Sequence, residues 1–347
     1  MTAPGAGVTA RWLERAPAEW PALLASDLSA SGAHRPGVWA AFTAAYAALE
    51  SRVVVAQEHG RIIGGAAVVL EHRAGLRWLH ALPMLLPAAP VALPGRHAEV
   101  DACVARAFES LACAERVVGG EWSLHRAGGP AVDEAAIAVL GGETRWFESA
   151  IVDLDQGAEG ALKRMERKHR QALSHARRQR LVFQEEPAAL DAAYALHVAQ
   201  GRVWGAHRPM PLELSRRLLA DAPGGPHARL FTLRDTQGVM SAALALDGPH
   251  DLFVWWSGTH RDGRRRQAFT LLLWRIVEWA AAQGRLRVDL GASTGLSLVA
   301  TFKQSLGARG ARFPVRWLDD RRASAHGRLL GRLQRIARAG RPRGEGA

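Results

Sequence analysis

The sequence predicts an α/β fold, of the α+β kind, in which mixed β-sheets are covered by helices. Residues 228–234, 239–246 and 251–258 are β-rich runs that follow one another as a meander. A long apolar helical stretch, 268–283, then joins them to a fourth run, 286–290, as a crossover connection would. The first half repeats this order on a smaller scale, and two copies of one unit, 1–150 and 151–320 followed by a tail 321–347, suit 347 residues.

Taken in order, residues 37–49 have helical spacing, with Trp39, Phe42, Tyr46 and Leu49 on one face. Residues 53–57 and 61–71 are β-rich and separated by His59-Gly60, a hairpin turn. Residues 77–86 form another apolar run, 100–113 an amphipathic helix, 116–124 a strand, 132–140 a helix and 144–154 a closing strand. The second half opens with a basic helix, 160–180, a short strand, 181–184, and helices at 187–199 and 211–220. After residue 290 a Gly/Ser-rich turn leads into a helix, 298–306, and a last strand, 312–317. Alternation along 251–258 sends Trp255 and Trp256 to opposite faces, one to the core and one toward a cleft.

Hydrophobic residues at 48% and charged residues at 22% exclude a disordered or collagen-like chain. The net charge of +12 is uneven. Residues 1–150 hold 12 Arg, no Lys and 15 acids, a net −3, which leaves +15 for the remainder. Segments 161–180 and 321–347 each carry eight bases and one acid, so the excess is concentrated where anions can be met. Only Lys163, Lys168 and Lys303 are lysines, the mark of a GC-rich coding sequence rather than of a general affinity for nucleic acid. Cys103 and Cys113 fall ten residues apart in one helical stretch, about 15 Å and too far for a disulfide. With no zinc spacing, no signal-peptide pattern at the N-terminus and an apolar stretch, 79–93, broken by prolines, the expectation is a cytoplasmic protein without a metal.

The densest chemical signals lie between Trp255 and Gly307. Strand 251–258 runs into Thr259-His260-Arg261-Asp262-Gly263-Arg264-Arg265-Arg266-Gln267 and then a helix, the arrangement in which free backbone N–H groups and the helix dipole favour a phosphate. Further on come Val288-Asp289-Leu290-Gly291-Ala292-Ser293 and Thr301-Phe302-Lys303-Gln304-Ser305-Leu306-Gly307. A strand ending in tryptophans, a basic loop, a helix with Trp274 and Trp279, an Asp-Leu-Gly strand end and a Phe-Lys-x-x-Leu-Gly turn together resemble the FemAB family of the GNAT acyltransferase superfamily. Ile151-Val152-Asp153-Leu154 followed by the basic segment from Lys163 to Arg178 looks like that family's inter-domain strand and basic helix. Leu82-Pro83-Met84 is similar to a proline-containing turn of its first domain.

The resemblance implies tandem GNAT-like domains, the first on the acceptor side and the second on the donor side, and transfer of an acyl or aminoacyl group to an amine. The donor is acyl-CoA in the acetyltransferase-like branch and aminoacyl-tRNA in others. The spacing between Arg180 and Ala228 leaves no room for the long helical hairpin that some relatives insert, which favours acyl-CoA. Two features depart from the wider superfamily. No register of residues 259–270 completes the pyrophosphate signature, and the only tyrosines, Tyr46 and Tyr194, lie far in sequence from 291–307, where a leaving-group acid would be sought.

Amine attack on a thioester or ester needs a free amine, a place for the oxyanion and a proton for the leaving group. Asp289 is the candidate base or ammonium partner, with capping of the Gly291 turn as its structural alternative. Lys303 is the candidate for stabilising developing negative charge or a phosphate. Trp256, Ser257, Arg264, Arg265, Arg266 and Gln267 are the candidate donor-binding residues. Trp204 and His207, with His197, precede Pro209 in a stretch read as a loop over the acceptor. The exposed charge of 161–180 suits tRNA, a nucleotide-linked precursor or anionic lipid, or simply a solvated face. The tail, with Leu329, Leu330, Leu333 and Ile336 opposite Arg328, Arg332 and Arg335, has the pattern of a basic amphipathic helix for peripheral contact with the inner membrane face. The expected activity is acyl transfer to an amine of a cell-envelope or secondary-metabolite precursor. The alternatives are an aminoacyl-tRNA-dependent transferase acting on a peptidoglycan precursor, and a catalytically degenerate GNAT-like binding protein.

Overall fold

The computed structural model describes residues 7–82, 85–132, 137–203, 209–220, 225–293 and 296–319. The first half contains β1 (Thr9–Leu13), α1 (Trp20–Ser26), α2 (Pro36–Ala45), β2 (Leu49–Glu58), β3 (Arg61–Arg73), β4 (Leu76–His80), β5 (Val91–Ala92), α3 (His97–Ala114), β6 (Gly119–Ser123) and β7 (Glu143–Asp153). The second contains α4 (Gly157–Arg164), α5 (Arg167–Arg177), β8 (Val182–Glu185), α6 (Leu190–Val203), α7 (Leu212–Leu219), β9 (Ala228–Asp235), β10 (Gly238–Asp247) and β11 (Asp251–Thr259). It closes with α8 (Arg261–Arg265), α9 (Ala268–Ala282), β12 (Arg287–Ala292), α10 (Ser297–Ser305) and β13 (Arg309–Asp319).

All the described strands join one sheet in the order β1-β2-β3-β4-β6-β13-β7-β12-β11-β10-β9-β8, with β5 on β3. In each half a meander feeds a helix that returns to a parallel strand: β4, α3 and β6 in the first, β11, α9 and β12 in the second. The expected mixed sheets covered by helices are therefore present in both halves. The closing strands of the two halves are exchanged between them. β13, the last of the described strands, inserts between β6 and β7 and is antiparallel to both, while β7 also borders β12.

Local chemistry explains most elements. His59 and Gly60 both have positive φ, 48° and 78°, the geometry of a two-residue turn whose twist matches its strands. Ala74 and Gly75 repeat it between β3 and β4, at φ 52° and 77°. The run expected over 77–86 is a strand only as far as His80. The helix expected to reach Leu49 stops at Ala45, since Leu49 is drawn into the long hairpin opposite Glu71.

The single basic helix expected over 160–180 is two helices. Met165 and Glu166 are extended, with ψ of 136° and 147°, and the Glu166 N–H donates to the carbonyl of Ser305. Gly307, at φ 86°, lies so close that a Cβ there would sit 3.0 Å from the Met165 nitrogen. The break is thus set by the end of α10, which no local pattern in 160–180 encodes. Apolar residues spaced along the two helices still share one side: Met165, Leu173 and Ala176 are buried in the layer containing α9. Among the described residues no helix is long and apolar enough to cross a membrane. The tail 321–347, Pro83 and Met84 lie outside the described residues.

Candidate active site

The site is built where two parallel strands part. β11 and β12 pair through Asp251, Leu252 and Phe253 against Arg287, Val288 and Asp289, and the ladder goes no further. From Val254 onward the edge of β11 facing β12 is left unladdered. β11 also carries a bulge: Leu244 of β10 faces Trp256 and Ala245 faces Val254, so Trp255 is the extra residue. The bulge overturns the expected alternation. Trp256 is buried in the same cluster as Phe253, and Trp255 packs against that cluster, its ring 5.6 Å from Phe42.

Asp289 and Lys303 stand where this ladder ends. Val288 and Leu290 point to the α9 layer, so Arg287 and Asp289 point the other way, toward the first half. Asp289 is 0% exposed. Its Oδ1 accepts from Ser149 Oγ at 2.5 Å and from the Gly291 N–H at 2.8 Å. Its Oδ2 lies 3.1 Å from His125 Nε2, at an angle that gives neither atom an aligned hydrogen bond. Burial by itself would raise this carboxyl, but the charge of His125, then Ser149 and the Gly291 N–H, more than offset it and hold Asp289 below the usual carboxylate range.

Gly291 turns at φ 74°, a conformation that favours glycine, and its carbonyl accepts from Lys303 Nζ at 2.8 Å. The Ala292 carbonyl lies 3.4 Å from the same nitrogen. Lys303 is brought there by α10, which Phe302 clamps through a 5.6 Å stack on Phe269 of α9 and an edge contact with His169 of α5. Burial pushes the Lys303 ammonium down to about 8, against the pull of the Asp289 charge.

Residues 161–304 match the family model for the acetyltransferase (GNAT) domain. Among solved structures, FemX superposes with a TM-score of 0.67 at 11% identity, over 88% of this chain and 96% of FemX. The chain has the fold of FemX. L-PGS from Bacillus licheniformis superposes with a TM-score of 0.54 at 12% identity, over 92% of this chain and 98% of that one. A conserved protein of unknown function from Bacteroides thetaiotaomicron gives 0.55 at 10% identity, over 88% and 98%. No curated protein matches the sequence.

In this GNAT frame the sequence-selected residues separate. Asp289 and Lys303 meet through the Gly291 turn. The three arginines expected to meet donor phosphates lie on α8 and just after it, and they differ. Arg266 pairs with Asp235 and donates to the Gln179 carbonyl at 2.6 Å, so it fastens α5 to β9. Arg264 donates to Gln200 of α6 at 2.8 Å. Arg265 keeps 71% of its side chain exposed. Gln267 is exposed and left-handed at φ 58°, and it opens α9, whose first-turn N–H groups have no partner within the helix.

The Trp256 indole is committed to packing, 4% exposed, stacked 4.9 Å from His197 and donating to Ser215 Oγ at 3.3 Å. Ser257 offers its carbonyl to His197 Nδ1 at 3.1 Å. His197 is not in a loop; it sits on α6 and is 1% exposed. Trp204 and His207 lie outside the described residues. Tyr194 gives its hydroxyl to the Met210 carbonyl. His125 and Ser149 escaped the sequence reading because neither stands in a motif; the available signal was that a buried strand-end Asp needs donors from somewhere.

Proposed function

We propose that the chain transfers an acyl group from acyl-CoA to an amine of a cell-envelope or secondary-metabolite precursor, with Lys303 giving the leaving group its proton. The observation that carries this reading is Lys303 Nζ held on the Gly291 carbonyl at the parting of β11 and β12, with a pKa of about 8. An ammonium so poised can lose a proton near neutrality, which an ordinary lysine does not. The acceptor nitrogen attacks the acyl carbon, and backbone N–H groups on the unladdered edge of β11 receive the oxyanion. The carbon–sulfur bond then breaks and the departing thiolate takes the Lys303 proton. The nitrogen, now an amide, sheds its extra proton and returns Lys303 to its ammonium form. Lys303 thereby fills the place of the tyrosine acid that the sequence lacks.

In this reading the start of α9, with Arg264, Arg265 and Gln267, meets the donor phosphates, and the first half takes the acceptor. Asp289 keeps the turn in place rather than acting as a base, because an enclosed carboxylate with three donors around it has no path to a substrate proton. Titration calorimetry with acetyl-CoA tests the donor: binding in the micromolar range is expected, and none at millimolar ligand sinks the acyl-CoA version.

A second reading has its own support. α5 and its C-terminal cap present exposed Arg167, Lys168, Arg170, Arg177 and Arg178 beside α9 and α10, and FemX has the highest TM-score of the three solved structures reported above. Aminoacyl-tRNA is the donor that this charge would suit, with a peptidoglycan precursor or lipid-linked amine as acceptor. Retention of charged tRNA, falling steeply as salt rises, is the outcome that would select it.

A further inference from the structure

We infer that His125, a residue of the first half, is a positioning residue for the second half's reaction: it fixes Asp289, and through the Gly291 turn it fixes Lys303. The inference rests on the reading of Lys303 given above and extends it across the junction of the two halves.

The links are short. His125 Nε2 stands 3.1 Å from Asp289 Oδ2, Asp289 Oδ1 accepts the Gly291 N–H at 2.8 Å, and the Gly291 carbonyl accepts Lys303 Nζ at 2.8 Å. His125 cannot easily turn away. Its ring stacks 4.3 Å from Phe313 of β13, nearly parallel at 14°, and meets the edge of Phe253 of β11 at 6.4 Å. The imidazole, from the first half, is therefore gripped by two strands of the second half, β11 and β13.

Removing it has a specific consequence. Asp289 is 0% exposed and His125 1%, so no bulk water can replace the imidazole beside Oδ2. A buried carboxylate with one oxygen facing aromatic rings must rotate or take up a proton, and either change weakens the acceptor of the Gly291 N–H. Gly291, at φ 74°, relies on that bond to keep its carbonyl under Lys303. Ser149 cannot compensate, since its hydroxyl already serves Oδ1. Simple satisfaction of a buried ion would require none of this alignment toward Lys303.

Three lysines in the chain make the test direct. A brief pulse of acetic anhydride at pH 8, read site by site by mass spectrometry, gives the reactivity of Lys303 relative to exposed Lys163 and Lys168 in the same molecule. In His125→Ala this ratio should change by about twofold or more, what a rise of half a unit or more in an ammonium pKa of about 8 produces at pH 8. His125→Gln, whose amide can place an N–H where Nε2 stands, should restore it. An unchanged ratio in folded His125→Ala overturns the inference, as does a Gln variant that behaves like Ala. Calorimetry with acetyl-CoA on the unaltered protein separates the two claims: failure to bind counts against the donor reading before any substitution is made, whereas the labelling ratio reports the His125 linkage by itself.

Discussion

Lys303 and Asp289 show how far a residue's type and neighbours carry meaning. An Asp two residues before a glycine at a strand end announces a capped turn, and Oδ1 of Asp289 does accept the Gly291 N–H. What the spacing could not supply is the rest of the carboxylate's surroundings, because Ser149 and His125 are 140 and 164 positions away in the chain. Lys303 was selected for its motif, and its lowered pKa comes from burial that only the packing of α10 creates. If its ammonium protonates the leaving group, the rise of rate with pH, driven by the free acceptor amine, should flatten above about pH 8 as Lys303 loses its proton. Lys303→Met should lower kcat by about 100-fold and let the rise continue, checked by a pH–rate profile at saturating donor.

At the scale of elements, several strands and helices were legible from pattern alone. The β9 to β11 meander, α9 and β12 follow from β-rich runs, turn residues and a fifteen-residue apolar helix, all local signals. The break between α4 and α5 and the bulge at Trp255 were not, because each is imposed by a neighbour distant in sequence. Gly258 illustrates the cause: a Cβ there would stand 2.4 Å from the His197 nitrogen, so α6 rests directly on the backbone of β11. Gly258→Ala should therefore cost about 3 kcal/mol or more and lower the melting temperature, since rigid backbone must move. Gly60→Ala, at φ 78° with open space around it, should cost only about 1 kcal/mol. Equal losses in paired thermal melts would contradict the account of α6.

The whole molecule is tied together by exchange of strands. β13 lies between β6 and β7, so a chain ending at residue 308 leaves a gap inside the sheet rather than at its edge. Such a truncation should abolish the cooperative melt of both halves, and a normal transition from the first half alone would refute this. Charge at the junction adds a pH dependence. Asp251 is fully buried, and burial, opposed by the nearby Arg287 charge, raises its carboxyl from 3.8 to about 7. A raised carboxyl binds a proton in the folded state that the unfolded chain has released. Its stabilising contribution is therefore complete below about pH 4 and is lost as pH rises through about 7, by about 4 kcal/mol at most. Asp251→Asn should remove that loss, so melting temperatures of the variant and the unaltered protein should diverge between pH 5 and 8.

By itself the sequence determined the alternation of elements, the duplicated order, the place of the basic segments and the residue pair around the Asp-Leu-Gly turn, because periodicity, turn chemistry and local charge are properties of neighbours in the chain. Tertiary structure alone decided that β13 lies between β6 and β7 and that β7 borders β12, that Arg266 is consumed in an ion pair while Arg265 stays exposed, and that Asp289 is met by His125. Those outcomes depend on groups distant in the chain, from Arg266 and Asp235, 31 positions apart, to Asp289 and His125, 164 apart, where the cost of leaving a charge without a partner, rather than any spacing, selects the contact.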